Sequence, residues 1–150
     1  MVPTSLGPGT VVGQRFRVVD RGVRGGMATV HRGDDLAAGG PVAIKLVALA
    51  TPDEHERFAR EAAILARLAD PTIVRYVAHG RASPTAAYLV TEWIEGPTLA
   101  DRLASDGLTV VETVDLARQL ARGLAAAHAL DVVHRDLKPA NLLFPQGGAG

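Results

Sequence analysis

Short apolar and β-branched runs, separated by glycine-rich segments, dominate the first part of the chain. Three of these runs come before the first helical pattern, at Phe16 to Val19, Thr29 to His31 and Val42 to Val47. Two more, at Ile73 to Val77 and Ala87 to Ile94, lie on either side of the turn-forming segment HGRASPTA. Runs of this length between glycine and proline turns are typical of antiparallel strands joined as a meander. The pattern therefore predicts five antiparallel strands.

The apolar positions change to a helical period between Thr51 and Leu68. Apolar residues recur there three or four positions apart among charged residues: Phe58, Ala62, Leu65 and Leu68. Thr51 before Pro52 is a helix-start signal. Two further helical segments follow, at Leu99 to Ala104 and at Val110 to Leu130. An apolar stripe marks the longer one: Leu116, Leu120, Leu124 and Ala127.

The order of these elements predicts an α+β domain with two lobes. Residues 1–13 are rich in proline, glycine and threonine, and we interpret them as an extended segment rather than a packed element. Residues 14–150 are predicted to form one partial domain. The composition changes from strand-forming to helix-forming at Gly96–Pro97, which gives a first lobe at about 14–95 and a second at about 96–150.

Composition and charge narrow the classes of function. The chain has 150 residues, of which 47% are hydrophobic and 21% charged, as in globular domains. Sixteen basic residues balance sixteen acidic ones, so no field of one sign favours a nucleic acid or a membrane surface as partner. The chain has no cysteine, which excludes disulfides and thiolate metal sites and agrees with a reducing compartment. We expect a cytoplasmic protein without a membrane segment in this chain.

Two segments of the first lobe carry candidate chemistry. In GVRGGMATVH, glycines between two strands allow backbone N–H groups to approach a phosphate, although a glycine-rich hairpin with no ligand has the same pattern. In PVAIK, Lys45 interrupts an apolar strand, where a buried ammonium requires an anion. Glu61 on the predicted helix could supply that anion. A lysine extending from an edge strand into solvent is the alternative.

The segment HRDLKPAN is the most specific motif. Asp136, Lys138 and Asn141 lie close together in sequence, and Pro139 stiffens the loop so that the three polar groups can converge. A carboxylate can accept the proton of an attacking hydroxyl, an ammonium can neutralise a migrating phosphoryl group, and an amide oxygen can bind Mg²⁺. The motif therefore predicts phosphoryl transfer.

The remaining histidines and the single tryptophan are given structural roles. No metal-ligand spacing links the histidines, which we expect on surfaces or half-buried faces: His31, His55, His79 and His128. Trp93 is predicted to be a packing residue, because one tryptophan does not make a stacking platform.

Together the motifs are similar to the N-terminal half of the eukaryotic-like serine/threonine protein kinases of bacteria. The resemblance runs from about Phe16 to Leu143 and rests on VAIK, RFAREAAILARL, YLVTEWIEGPTL and HRDLKPAN. It implies a protein-kinase-like fold, ATP and Mg²⁺ as cofactors, and serine or threonine hydroxyls of proteins as acceptors. The DLKP form resembles the serine/threonine branch rather than the tyrosine branch.

The resemblance also implies a role for each matching residue. Lys45 would hold the α- and β-phosphates and pair with Glu61. Asp136 would orient and deprotonate the acceptor hydroxyl, Lys138 would contact the γ-phosphate, and Asn141 would hold Mg²⁺. The nucleotide contacts implied are the glycine-rich loop at Val23, Gly25 and Gly26, the adenine-facing Val30, Ala43 and Leu143, the gatekeeper Thr91, and the hinge backbone of Glu92 and Ile94.

The sequence departs from the family pattern in two ways. The first loop glycine is replaced by Val23 with Gly22 displaced by one position, and the third by Ala28. A strained backbone would be costly at the β-branched Val23, so we expect a weakened but not abolished grip on the nucleotide. The family's Asp-Phe-Gly, activation loop and later helices are also missing, so we expect a fragment with little or no activity. Two alternatives remain open: a small-molecule phosphotransferase of the same fold, and a non-catalytic module that binds a nucleotide or a partner.

Overall fold

A computed structural model describes residues 5–26 and 28–146, which form two compact units. The first unit contains the residues up to Arg67 together with Arg75–Trp93, and the second contains Leu68–Val74 and the residues from Ile94 onward. Residues 1–4 of the predicted extended segment, Met27 of the glycine-rich segment and the closing GGAG lie outside the described residues.

In its described residues, the first unit is an antiparallel sheet with one helix. Its strands are β1 (Val11–Val12), β2 (Phe16–Val18), β3 (Val23–Arg24), β4 (Ala28–Asp35), β5 (Pro41–Ala48), β6 (Tyr76–Ser83) and β7 (Ala86–Glu92). The sheet order is β1-β2-β4-β5-β7-β6, and β3 pairs with β4. The sheet has seven strands where five were predicted, because β1 and β3 are two-residue strands too short to show a hydrophobic period.

Alternation along the strands separates two faces of this sheet. One face carries the buried core: Val12, Phe16, Val18, Val42, Ile44, Leu46, Tyr88 and Val90. Directly opposed residues of an antiparallel pair share a face. On the face opposite the core, the register therefore aligns two cross-strand rows: Val30–Lys45–Leu89 and Arg32–Ala43–Thr91.

Helix α1 (Pro52–Leu65) lies over the face that carries Lys45. The helix begins after Thr51, as predicted, and Thr51 forms a capping box with Glu54. It ends at Leu65 rather than Leu68. The Phe58 ring meets His79 edge-on at 6.4 Å between ring centroids. Because His79 is opposite Leu89 in the sheet register, the contact puts α1 on that side of the sheet.

The described part of the N-terminal segment packs, which differs from the expectation of an unpacked extension. Val12 is buried, and the Leu6 backbone N–H donates to Nε2 of His31 at 3.3 Å. His31 itself is 0% exposed, so the expectation of a surface or half-buried position is wrong for this histidine. The reason is that His31 lies on the core face of β4, where its ring nitrogens find backbone partners: Nε2 accepts from Leu6, and Nδ1 lies 3.4 Å from the Asp20 carbonyl oxygen.

The fourth predicted strand is displaced along the chain. Residues 73–77 were predicted to be strand, whereas β6 begins at Tyr76 and continues to Ser83 through most of the predicted turn segment. The turn itself is confined to Pro84 and Thr85. The other residues of HGRASPTA lie in strands despite their polar composition, because pairing with β7 holds residues 79–83 in the sheet.

The second unit contains two capped helices and a short 3-10 turn. Helices α2 (Leu99–Ala104) and α3 (Val110–His128) each begin with a capping box, formed by Thr98 with Asp101 and by Thr109 with Glu112. The 3-10 turn is formed by Pro139–Asn141. The bounds of α2 agree with the sequence prediction, and α3 ends at His128 rather than Leu130. Within the described residues, no helix has the length and hydropathy needed to cross a bilayer.

Candidate functional site

The loop that follows α3 places three polar side chains side by side. Nζ of Lys138 lies 3.3 Å from Oδ2 of Asp136. The side-chain amide of Asn141 donates to the backbone oxygen of Asp136 at 2.8 Å and to its Oδ2 at 3.2 Å. The residues that the sequence singled out in HRDLKPAN are therefore in direct contact in this unit.

Local backbone geometry produces this convergence. Arg135 has a positive φ of 63°, which turns the chain sharply just before Asp136. The Asp136 N–H donates to Nδ1 of His134 at 3.2 Å, and the 3-10 turn at Pro139–Asn141 brings Asn141 back toward Asp136. Pro139 begins that turn, where a missing N–H and a fixed φ are tolerated.

The three side chains have distinct electrostatic states. The Asn141 amide, followed by the Lys138 ammonium, holds the pKa of Asp136 below its usual value, so this carboxylate is ionised at neutral pH. All three side chains are exposed to solvent. The Asn141 side chain binds Asp136 through its amide nitrogen. Its amide oxygen, Oδ1, accepts no hydrogen bond from the described residues. This oxygen is available to a ligand such as a hard metal ion.

Backbone pairing fixes the segment that follows this loop. The Leu99 N–H donates to the Leu142 oxygen at 2.8 Å, Thr98 and Leu143 form a β-bridge, and the Phe144 N–H donates to the Pro97 oxygen at 2.9 Å. Gly96 has a φ of 149°, and a Cβ at this position would overlap the Phe144 carbonyl. The predicted adenine contact Leu143 therefore lies on a short two-stranded segment that requires Gly96, and its side chain is exposed.

Lys45 and Glu61 belong to the first unit, and both are exposed. Lys45 is on β5, which has β4 and β7 as neighbours, so the alternative of an edge-strand lysine is wrong. The expectation of a buried ammonium is also wrong, because Lys45 projects from the face opposite the core. The charged groups of Lys45 and Glu61 are not within 4.0 Å of each other in the structure, so the predicted ion pair is not formed. Glu61 directly precedes the buried Ala62, about 100° around the helix axis.

The glycine-rich segment forms a hairpin between β3 and β4. Val23 is opposite Val30 in a short strand and is 76% exposed. Its φ is not positive, so the backbone at this β-branched residue is not strained. The positive φ falls instead on the displaced Gly22, at 72°, where a Cβ would collide with the His31 ring. A Cβ at Gly26 would meet no atom of the described residues within 4 Å, so this part of the backbone is open to a ligand.

The sheet register groups several of the predicted nucleotide contacts. Val30, Ala43, Lys45 and Thr91 all lie on the face opposite the core. The Glu92 backbone N–H donates to the backbone carbonyl oxygen of Arg75 at 2.9 Å. The Thr91 hydroxyl donates to the backbone carbonyl oxygen of Glu92 at 3.3 Å. Ile94 belongs to the second unit.

Sequence reasoning missed Arg32 as a member of this face. Arg32 is opposite Ala43, and its guanidinium carbon lies 5.3 Å from the centroid of the Trp93 ring. The period-two spacing from Val30 to Arg32 was the signal that could have identified it, because residues two apart on a strand share a face.

Known proteins resemble the chain in sequence and in fold. A sequence profile of the family described as protein kinase domain matches residues 22–149. Serine/threonine-protein kinase pkn2 of Myxococcus xanthus is 37% identical over an alignment that covers 100% of this chain and 18% of that protein. Serine/threonine-protein kinase PknL of Mycobacterium bovis is 38% identical, with 89% of this chain and 34% of that protein covered.

A solved structure extends the likeness to the fold. The crystal structure of Rad53 1-466 in complex with AMP-PNP matches with a TM-score of 0.79 at 28% identity, over 89% of this chain and 35% of that chain. The predicted α+β, protein-kinase-like fold is therefore confirmed. The chain spans 18% to 34% of the length of the two curated relatives described above.

Proposed function

The chain belongs to the protein kinase domain family, and from that premise we propose that it carries the nucleotide-binding strands and the catalytic loop of an ATP-dependent protein serine/threonine kinase. One observation carries the proposal: the contact of Asp136 with Lys138 and Asn141 in one exposed loop. Names of relatives such as pkn2 support serine and threonine hydroxyls of proteins as acceptors.

Asp136 acts in this proposal as the group that orients and deprotonates the acceptor hydroxyl. Its depressed pKa keeps it in the acceptor form at neutral pH, and its exposure leaves the carboxylate open to an incoming hydroxyl. Lys138, already 3.3 Å from Asp136, supplies a positive charge for the γ-phosphoryl group. The hydroxyl proton moves to an Asp136 oxygen as the hydroxyl oxygen bonds to the γ-phosphorus of ATP. The bond between that phosphorus and the β–γ bridging oxygen breaks, and ADP leaves.

A divalent cation fits the donor set that this loop offers. Asn141 presents an amide oxygen that no described residue uses, and Mg²⁺ prefers oxygen ligands with few of them from the protein. We assign Mg²⁺ to Asn141 on that basis. When bound, the ion would neutralise charge on the phosphates of ATP.

The first unit contributes the proposed grip on the nucleotide. Lys45 lies on the same face as Val30, and α1 with Glu61 covers that face. We propose that Lys45 contacts the α- and β-phosphates and pairs with Glu61 in the nucleotide-bound chain, where the pair would hold the ammonium in place. Val23, Gly25 and Gly26 would cover the phosphates. The roles of Ala43, Thr91, Glu92, Ile94 and Leu143 rest on the resemblance.

The acceptor class is tested by following labelled phosphate from ATP. Two proteins are compared: the 150-residue chain and the longest naturally expressed protein that contains it. Each is incubated with Mg²⁺ and labelled ATP, with proteins or with hydroxylated small molecules as acceptors. We expect label on serine and threonine of proteins. Label on small molecules alone would favour the small-molecule phosphotransferase. Nucleotide binding without any transfer by the longer protein would favour a binding module.

A cytoplasmic location and the lack of a nucleic-acid partner stay predictions from the sequence. The balanced charge of the chain agrees with the second of them.

A further inference from the structure

Arg32 and Trp93 form a contact on the sheet face that carries Lys45. The Arg32 guanidinium carbon lies 5.3 Å from the Trp93 ring centroid, within the distance at which a cation is attracted to an aromatic face. Arg32 is exposed and Trp93 is half-buried. The contact places a positive charge beside the π-system of the indole, which adds electrostatic attraction to packing.

The sheet order explains how this contact can form. Arg32 is on β4 and Trp93 follows β7, and β5 runs between these two strands. The residue of β5 opposite Arg32 is Ala43. Trp93 lies two residues beyond Thr91, which is the residue of β7 opposite Ala43. Arg32 therefore links β4 to the end of β7 beside the row that contains Ala43, which is predicted to contact adenine.

The register also sets the position of Arg32 relative to Lys45. The Arg32–Ala43–Thr91 row is two residues along the strands from the Val30–Lys45–Leu89 row, or about 7 Å at the usual rise of a strand. A nucleotide with its phosphates at Lys45 would reach the Arg32 row with its base and ribose. Trp93 lies two residues after Thr91 and one after Glu92, at the end of the strand whose backbone is proposed to bind adenine.

We propose that the Arg32–Trp93 pair is one wall of the nucleotide site and that Arg32 is a positioning residue for the base and ribose, not for the phosphates. The inference rests on the proposed function, since it assumes a nucleotide at Lys45. By fixing Trp93, Arg32 holds the end of β7 in the conformation that presents its backbone to the base. Arg32 touches no reacting atom in this account.

Trp93 is the only tryptophan of the chain, so its fluorescence reports this site directly. The experiment uses the whole chain with ATP and with adenosine, which lacks phosphates, and measures both affinities by calorimetry and by Trp93 emission. The variants are Arg32→Ala, Arg32→Lys, which keeps the charge but not the planar stack, and Arg17→Ala as a control. Arg17 is an exposed arginine paired with Asp34 at 3.1 Å elsewhere on the sheet.

We expect adenosine and ATP to change Trp93 emission at the concentrations at which calorimetry detects binding. Arg32→Ala should alter the emission of the free chain and weaken adenosine and ATP by the same factor, about two- to fivefold, the size of a cation–π contact at an exposed site. Arg32→Lys should give most of this loss, because it removes the stack. Arg17→Ala should leave both affinities unchanged.

Two results would overturn the inference while the proposed function stands. In the first, the wild-type chain binds both ligands and Arg32→Lys, checked by circular dichroism to be folded, binds them equally well. In the second, the Arg32 variants weaken ATP but not adenosine, which would make Arg32 a phosphate contact. If the wild-type chain binds neither ligand in calorimetry, the nucleotide site itself is wrong and the inference falls with it.

Discussion

Asp136 gains its low pKa from neighbours a few residues away in the same loop. The Asn141 amide is the largest cause and the Lys138 ammonium the next. A group whose pKa is depressed in the folded chain is ionised over a wider range, so its acceptor form is kept as pH falls and is lost only below the usual value of 3.8. The base of the proposed reaction therefore needs no deprotonation step near neutral pH.

Removing the Asn141 amide should raise the pKa of Asp136 toward 3.8. We expect Asn141→Ala to shift the midpoint of the Asp136 side-chain carboxyl carbon upward in an NMR pH titration, because the carboxylate loses its strongest donor. The Asp101 carboxyl serves as an internal control, since its low pKa comes from Thr98. An Asp136 midpoint that is the same in both proteins would contradict this account of the loop.

His31 shows that a polar side chain can be part of the core. It is fully buried, accepts the Leu6 N–H and has the Gly22 backbone against its ring. His31→Ala should lower the free energy of unfolding by about 2 to 4 kcal/mol, since it leaves a cavity and an N–H without a partner. Urea unfolding measures this loss. The exposed His128→Ala is the control, and equal effects of the two substitutions would refute the structural role of His31.

At the scale of elements, α3 begins with a charged cap. Glu112 accepts from the Thr109 N–H and hydroxyl at 2.8 Å each and from Arg102 at 3.1 Å, which lowers its pKa from 4.5 to about 2. The Thr109 N–H is the largest cause. Because the folded pKa is depressed, this stabilisation is complete above pH 4.5 and is lost as pH falls toward about 2.

Glu112→Gln should flatten the loss of stability in that pH window. We expect the variant to be less stable than the wild type at pH 7 and to lose less stability between pH 4.5 and pH 2, because it has no proton to take up. Urea unfolding at several pH values measures the difference. Asp115→Asn, one turn further along α3, is the matched control. Parallel pH profiles for Glu112→Gln and the wild type would contradict the cap assignment.

The strand pair that follows the catalytic loop depends on Gly96. Gly96→Ala should break the pairing of residues 95–99 with residues 142–146, because the new Cβ would overlap the Phe144 carbonyl. Hydrogen exchange of the Leu99, Phe144 and Gln146 amides should speed up. Gly107→Ala is the control, because Gly107 also has a positive φ but faces open space. Unchanged exchange at all three amides in Gly96→Ala would contradict this arrangement.

At the scale of the whole molecule, elements with end signals could be predicted and elements made only by pairing could not. Helix α2 agrees with its prediction because Thr98 caps its start and Gly107 follows its end. Strands β1 and β3 depend on partners in β2 and β4, and a two-residue strand has no period of its own.

Strand β4 shows why its length and core face were missed. The residues that face the core are polar or small: Thr29, His31, Gly33 and Asp35. A search for apolar alternation ends at His31, whereas hydrogen bonds to β2 and β5 continue the strand to Asp35. Arg32 was missed for the same reason, because the predicted strand ended at His31 and so did not include the residue that shares a face with Val30.

The candidate site divides in the same way. Asp136, Lys138 and Asn141 were predicted to converge and do so, because a short loop brings together residues that are close in sequence. Lys45 and Glu61 are far apart in sequence, and their pairing depends on the position of α1 over the sheet. No local pattern sets that position, and the two charges are apart in the structure.

Phosphoryl transfer from ATP to protein serine or threonine tests the central claim most directly. The rate is measured for the longest naturally expressed protein that contains this chain and for its Asp136→Asn variant. Both proteins are first shown by calorimetry to bind ATP equally well, so that only the chemical step differs. We expect transfer by the wild type and a loss of about 10²- to 10⁴-fold in the variant, the usual contribution of a positioned base. Equal rates in the two proteins would contradict the role of Asp136 and with it the proposed reaction.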